Sequence, residues 1–156
     1  VVEEKAANGV SGGGSLTVTW NLRGSTVAWV IKFQTVASMI NLALGAGKIS
    51  FAAAGNYIVR ARASANKVGK NTIRIARYNS ADVLQETFNG LTQNCPVAGA
   101  TTTMTFAEAR VVIAGGDYIK IEHWTELTEA VDGLGLAVSS GSGDEVHASV
   151  EIQKSA

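Results

Sequence analysis

Apolar and polar residues alternate strictly on both sides of the tripeptide Gly115-Gly116-Asp117, and no other stretch constrains the fold as tightly. Val111 and Ile113 precede it, and Ile119 and Ile121 follow it. Each pair is spaced by two, the period that lines up side chains on one face of a β-strand. Arg110, Lys120 and Glu122 hold the opposite parity. Glu108 to Trp124 therefore reads as a β-hairpin, with one face for a core and one for water or a partner.

The same period recurs along the chain. Leu16, Val18, Trp20 and Leu22 alternate with Thr17, Thr19 and Asn21, and Val27, Trp29, Ile31 and Phe33 resume the pattern after Gly24-Ser25. Trp20 and Trp29 share parity with aliphatic residues, which places them in the core. Residues 35–44 read as strand plus loop. Further strands are expected at Ile49 to Phe51, Tyr57 to Ser64, Thr72 to Tyr78, Val83 to Phe88, Thr101 to Phe106, Leu134 to Val138 and Val146 to Ile152. Asn89-Gly90 tolerates positive φ and predicts a tight hairpin turn. About ten short strands without an amphipathic helix make an all-β antiparallel sandwich or jelly roll. Residues 1–15, with Gly9-Val-Ser-Gly-Gly-Gly-Ser15, are too polar and flexible to pack, so they form an N-terminal arm and residues 16–156 form the domain.

Composition narrows the function. With 13 Lys+Arg against 13 Asp+Glu there is no excess positive field, so neither nucleic acid nor an anionic membrane is an expected partner. No apolar run reaches the roughly 18 residues of a membrane span, and no basic-then-apolar leader opens the sequence, which predicts a soluble chain. The single Cys95 lies next to Pro96 without a basic neighbour and reads as an inert thiol. Gly45-Ala-Gly47-Lys48 lacks the leading glycine and the closing Ser or Thr of a phosphate loop. His123 and His147 have no triad or His-x-x-x-His surroundings and read as solvent-facing strand histidines. Asp132 and Asp144-Glu145 lack the alternating oxygen ligands of a calcium loop. No cofactor and no enzymatic activity are expected.

Two of these stretches, with a looser third, resemble the jelly-roll domain of the tumour necrosis factor and C1q families. Ile49-Ser-Phe-Ala-Ala-Ala-Gly55-Asn-Tyr57 looks like the families' Gly-x-Tyr element, with Ala52 and Ala54 where prolines are usual and Ile49 where an aromatic residue is usual. Val111-Val-Ile113-Ala-Gly115-Gly116-Asp117-Tyr-Ile119-Lys-Ile121 is similar to their Gly-Asp hairpin, and His147 to Ile152 matches the closing strand loosely. The resemblance implies a homotrimer, a form also used by head-decoration, fibre and spike proteins of bacterial viruses and by spore-surface filaments.

These readings combine into one expectation. The chain is a non-enzymatic trimeric surface protein, a capsid decoration or head fibre on a virion, held to a major capsid or other carrier protein by its arm. The alternative is a C1q-like tip on a fibre, spike or collagen-like filament, at an extracellular or spore surface, that binds a host receptor or glycan. The trimer interface is expected on mixed outward parities: Ile58, Arg60 and Arg62; Tyr118, Lys120, Glu122 and Trp124; His147 and Glu151. Arg60 or Arg62 would then pair with Glu122 or Glu151 of a neighbouring copy. In the arm, Val1, Val2, Ala6, Ala7 and Val10 are the side chains available to bury in a carrier.

Overall fold

A computed structural model describes residues 1–6, 19–24, 29–31, 42–99, 102–135 and 145–155. Twelve strands are described: β1 Val2–Ala6, β2 Asn21–Leu22, β3 Trp29–Ile31, β4 Leu42–Gly45, β5 Lys48–Phe51, β6 Gly55–Asn66, β7 Gly69–Tyr78, β8 Leu84–Asn89, β9 Gln93–Cys95, β10 Thr102–Ile113, β11 Tyr118–Thr125 and β12 Glu145–Lys154. One sheet runs in the order β10-β6-β12-β1-β3. The other runs β4-β5-β11-β7-β8, with β2 added beside β11 and β9 beside β7. Every pairing is antiparallel.

The core is built from the alternation. From the five-stranded sheet come Tyr57, Val59, Ala61 and Ala63 of β6, Ala107, Ala109, Val111 and Ile113 of β10, and Ala148 and Val150 of β12. Against them the seven-stranded sheet sets Ile49, Phe51, Ile73, Ile75, Ile119 and Ile121. The five-stranded sheet mixes alanines with larger side chains, and the branched isoleucines of the other sheet pack against them. The predicted inward parity of Val111, Ile113, Ile119 and Ile121 is the observed one, each exposed by 2% or less.

The expected hairpin is an arch. β10 pairs with β6 in one sheet, whereas β11 pairs with β5 and β7 in the other. Ala114–Asp117 carries the chain across, with the Asp117 amide donating to the Ala114 carbonyl at 3.1 Å. Both flanking strands keep apolar faces inward because they cover the same core from opposite sides. Alternation reports which face is buried, and it is silent on whether two strands share a sheet.

Two turn assignments exchange places. Asn89-Gly90 is not a hairpin turn: β8 and β9 lie end to end along β7, and Gly90-Leu91 reaches over to the edge of β10. The Leu91 amide donates to the Phe106 carbonyl at 3.0 Å, and a Cβ on Gly90 would stand 2.1 Å from that same oxygen. Close approach, not turn geometry, requires this glycine. The tight hairpin is Gly45-Ala46-Gly47-Lys48, where Ala46 and Gly47 take φ of 46° and 75°. Both central residues with positive φ make it the I′ class of turn.

The start of the chain also differs from expectation. Val2–Ala6 is not an arm but a strand between β12 and β3, and Val2 is wholly buried. Val2 pairs with Val150 and Ile31, so its side chain is part of the apolar layer and is not available to a carrier. The glycine-rich stretch connects β1 to β2. Ala7 and Val10 lie outside the described residues, as do Leu16 and Val18.

Candidate interaction faces

Eight of the nine residues expected at one interface occupy two opposite sides of the sandwich. Ile58, Arg60 and Arg62 on β6 and Glu151 on β12 point outward from the five-stranded sheet. Tyr118, Lys120, Glu122 and Trp124 on β11 point outward from the seven-stranded one. His147 belongs to neither face. It is 4% exposed, and its ring lies against Gly135, where a Cβ would come within 2.2 Å of Nδ1.

On the five-stranded face, Arg60 is neutralised within the chain, 3.0 Å from Glu108 Oε2 and 3.5 Å from Glu151 Oε1. The register places both carboxylates directly across from it on β10 and β12. Arg62 and Arg110 are exposed and have no ionic partner among the described residues. Between and beside them β10 presents Met104, Phe106 and Val112, exposed by 52%, 46% and 62%, and Leu91 is exposed next to Phe106. This apolar strip was legible in the alternation of β10. Reading Thr101 to Phe106 as a separate strand concealed it, because the outward parity runs unbroken from Thr102 to Val112.

The seven-stranded face is a fixed lattice of cations and rings. Tyr78 and Tyr118 stack with centroids 5.5 Å apart, and Lys120 and Lys48 lie 4.2 and 4.4 Å from the Tyr78 and Tyr118 centroids respectively. Lys48 is 2.6 Å from Asp82 Oδ1, which also accepts the Tyr118 hydroxyl proton. Glu122 is engaged within its own sheet. It accepts from Arg74 Nε at 2.6 Å and from the Tyr78 hydroxyl at 2.7 Å. Trp20 is not in the core: it is 36% exposed, with the Arg74 guanidinium 4.0 Å from its ring centroid. Trp124 is half-buried, and the side chain of Trp29 lies outside the described residues.

Trp20 and Leu22 share one parity about the small strand β2, and it is Arg23, the residue after it, that is wholly buried. Aliphatic parity failed here because Arg23 satisfies its charge with carbonyls once inside. Its guanidinium donates to the oxygens of Ser64, Leu134 and His147 at 3.1 to 3.5 Å.

These pairings fix protonation states. Burial first, and then the hydrogen bond to Glu122, push Tyr78 up to about 12. Burial, followed by the bond to Asp82, raises Tyr118. The hydrogen bond from Lys48, followed by that from Tyr118, holds Asp82 below the usual carboxylate range, and Asp82 raises Lys48 in return. All four shifts move these groups further from neutrality. Both histidines, expected at the surface, are buried. The parity of His123 follows Ile119 and Ile121, a signal present in the sequence. His147 is outward by parity and is covered by the Gly133-Leu134-Gly135 turn.

The motif residues serve the fold. The Tyr57 hydroxyl donates to the Ala53 carbonyl at 2.8 Å, and its ring lies 4.6 Å from that of Phe51. Asp117 Oδ2 accepts from the Ala114 amide at 3.1 Å and from Arg77 at 2.8 Å. Among the described residues no three His, Cys, Asp or Glu side chains are grouped to hold a metal.

No protein-family model matches the chain, and no curated protein matches it. Solved structures do. The chain is similar to an Eiger tumour necrosis factor from S. frugiperda, with TM-score 0.51, 16% identity and coverage of 84% of this chain and 87% of that one. It is similar to murine APRIL, with TM-score 0.50, 10% identity and coverage of 77% and 89%. The globular domain of zebrafish complement 1qA aligns at TM-score 0.49 and 13% identity over 90% and 95%. At such identities it is the architecture that is shared. Two antiparallel sheets in this order, enclosing one apolar layer, form a jelly roll of the tumour necrosis factor type.

Proposed function

We propose that the chain is a non-enzymatic surface domain that works as a homotrimer, self-associating through the outward face and β10 edge of its five-stranded sheet. The observation that carries this is the exposed strip Met104, Phe106 and Val112 beside unpartnered Arg62 and Arg110. Exposed apolar side chains interleaved with charge, here with Glu108 and Arg110 between Phe106 and Val112, mark a contact surface. A ring of three copies closes on itself, covering the strip without growing into a filament. The resemblance noted from the sequence supports the same stoichiometry. Light scattering of the purified protein at micromolar concentration should give three times the chain mass, and Phe106→Glu should give a folded monomer. A monomeric parent protein would refute the trimer.

Within this reading we assign the domain to the surface of a particle, as a virion decoration or head-fibre subunit held by a carrier protein. This rests on the resemblance. Peptide mass spectrometry of purified particles tests it. The alternative, recognition of a host receptor or glycan, is favoured by the exposed Trp20 face and the tyrosine–lysine lattice on the opposite sheet. Binding to a glycan array that is lost on Trp20→Ala would select it.

A further inference from the structure

His123 is wholly buried on β11, with Nε2 3.1 Å from Asn71 Oδ1 on β7 and no partner at Nδ1. A neutral ring satisfies this geometry, donating through Nε2 and leaving a bare lone pair in the interior. Directly beside it lies β2, two residues long, held to β11 by the pairs Leu22↔Glu122 and Asn21↔His123 and by the Asn21 side-chain amide donating to the His123 carbonyl at 3.1 Å. The next residue, Arg23, anchors its own amide on the Ile121 carbonyl at 2.9 Å. Its guanidinium crosses to the other sheet, where it holds carbonyls of β6, β12 and the turn at Leu134. One buried cation thus ties three separate segments, and it lies within electrostatic reach of the imidazole.

We propose that His123 and Arg23 form an acid-sensitive latch, in which proton uptake by His123 expels β2 and frees the segments that Arg23 holds. A proton can enter only at Nδ1, where it finds no acceptor and a second positive charge nearby. Among the described residues Arg23 is the charged group acting on the ring; Asn71 on β7 and Asn21 on β2 are neutral, and His147 on β12 meets Arg23 through its backbone carbonyl. Burial first and Arg23 second hold His123 well below its ordinary value of 6.5. The sign follows. The closed form excludes a proton that the open form accepts, so closure is fully favoured above 6.5 and is progressively lost as pH falls below it. β2 is the element to yield, because it pairs with β11 at the ring itself, while β11 keeps eight pairs to β7.

Amide hydrogen exchange on the intact protein from pH 7.5 to 5 tests this. After correction for intrinsic rates, opening of residues 21–24 and 133–135 should rise about tenfold per pH unit below 6.5, while β6 and β10 stay protected. His123→Gln, which keeps a donor for Asn71 and cannot titrate, should abolish the pH dependence. Should that variant fail to fold, NMR of the His123 ring in the parent protein replaces it, and its ionisation should coincide with the opening. Equal opening of β6 and β10, an unchanged pH dependence in His123→Gln, a ring that ionises apart from the opening, or no opening by pH 5 would each overturn the latch.

Discussion

Ile121 and Lys120 are neighbours on β11 and face opposite ways, and this is the scale at which the sequence speaks most directly. Ile121 is 0% exposed, so Ile121→Ala should cost about 2 to 5 kcal/mol in a denaturation experiment. Lys120 lies over Tyr78 at the half-exposed surface, and Lys120→Ala should cost under about 1 kcal/mol. An unchanged midpoint for Ile121→Ala would reverse the assignment of faces. Asp117 shows what a single residue conceals. Its turn role is legible from Gly115-Gly116-Asp117, and from that alone Asp117→Asn looks mild. The structure adds Arg77 at 2.8 Å, part-buried, so the same change should cost about 1 to 3 kcal/mol, measurable by denaturant titration. Arg77 is distant in sequence and on another strand, and nothing local announces it. Arg23 is hidden for the same reason: a charge inside a sandwich is stable only through the carbonyls that receive it, and those come from β6, β12 and Leu134.

At the scale of elements, strand existence was legible and strand partnership was not. A period of two records burial of a face, which both members of an arch and both members of a hairpin share. β10 and β11 therefore looked paired when they stand in different sheets. β1 was missed for a different reason. Val1 to Ala6 is short and charged, and its strand character comes from being gripped on both sides by β12 and β3, a tertiary effect that overrides local composition. Deleting residues 1–6 consequently should not leave stability unchanged. Removing wholly buried Val2 alone should sacrifice about 1.5 to 3 kcal/mol, and lost ladder pairs add to it. Thermal unfolding of the truncated chain decides the point: a midpoint equal to that of the intact protein would restore the free arm.

For the whole molecule the proposed self-association turns on which side would meet another copy. Mixed polarity does not separate one sheet from the other, so the residues it collects, Arg60 and Glu122 among them, lie on opposite sides of the sandwich. The charge balance now separates them. On the seven-stranded side Arg74, Lys48 and Arg77 each have a carboxylate within 2.8 Å or closer, and Lys120, which has no ion pair among the described residues, lies over the Tyr78 ring. On the five-stranded side Arg60 shares Glu108 and Glu151, whereas Arg62, across from Phe106, and Arg110, between Phe106 and Val112, have no carboxylate of their own among the described residues. A second copy that covers Phe106 must bring acceptors to those guanidinium groups or leave them at a wet rim. If it brings acceptors, reversing both charges with Arg62→Glu and Arg110→Glu sets like charges together and should weaken association at least about tenfold in sedimentation equilibrium. Lys120→Glu, on the far sheet, should leave the association constant unchanged. Dissociation by Lys120→Glu would move the interface to the other sheet, and full association of the double reversal would place the arginines at the rim.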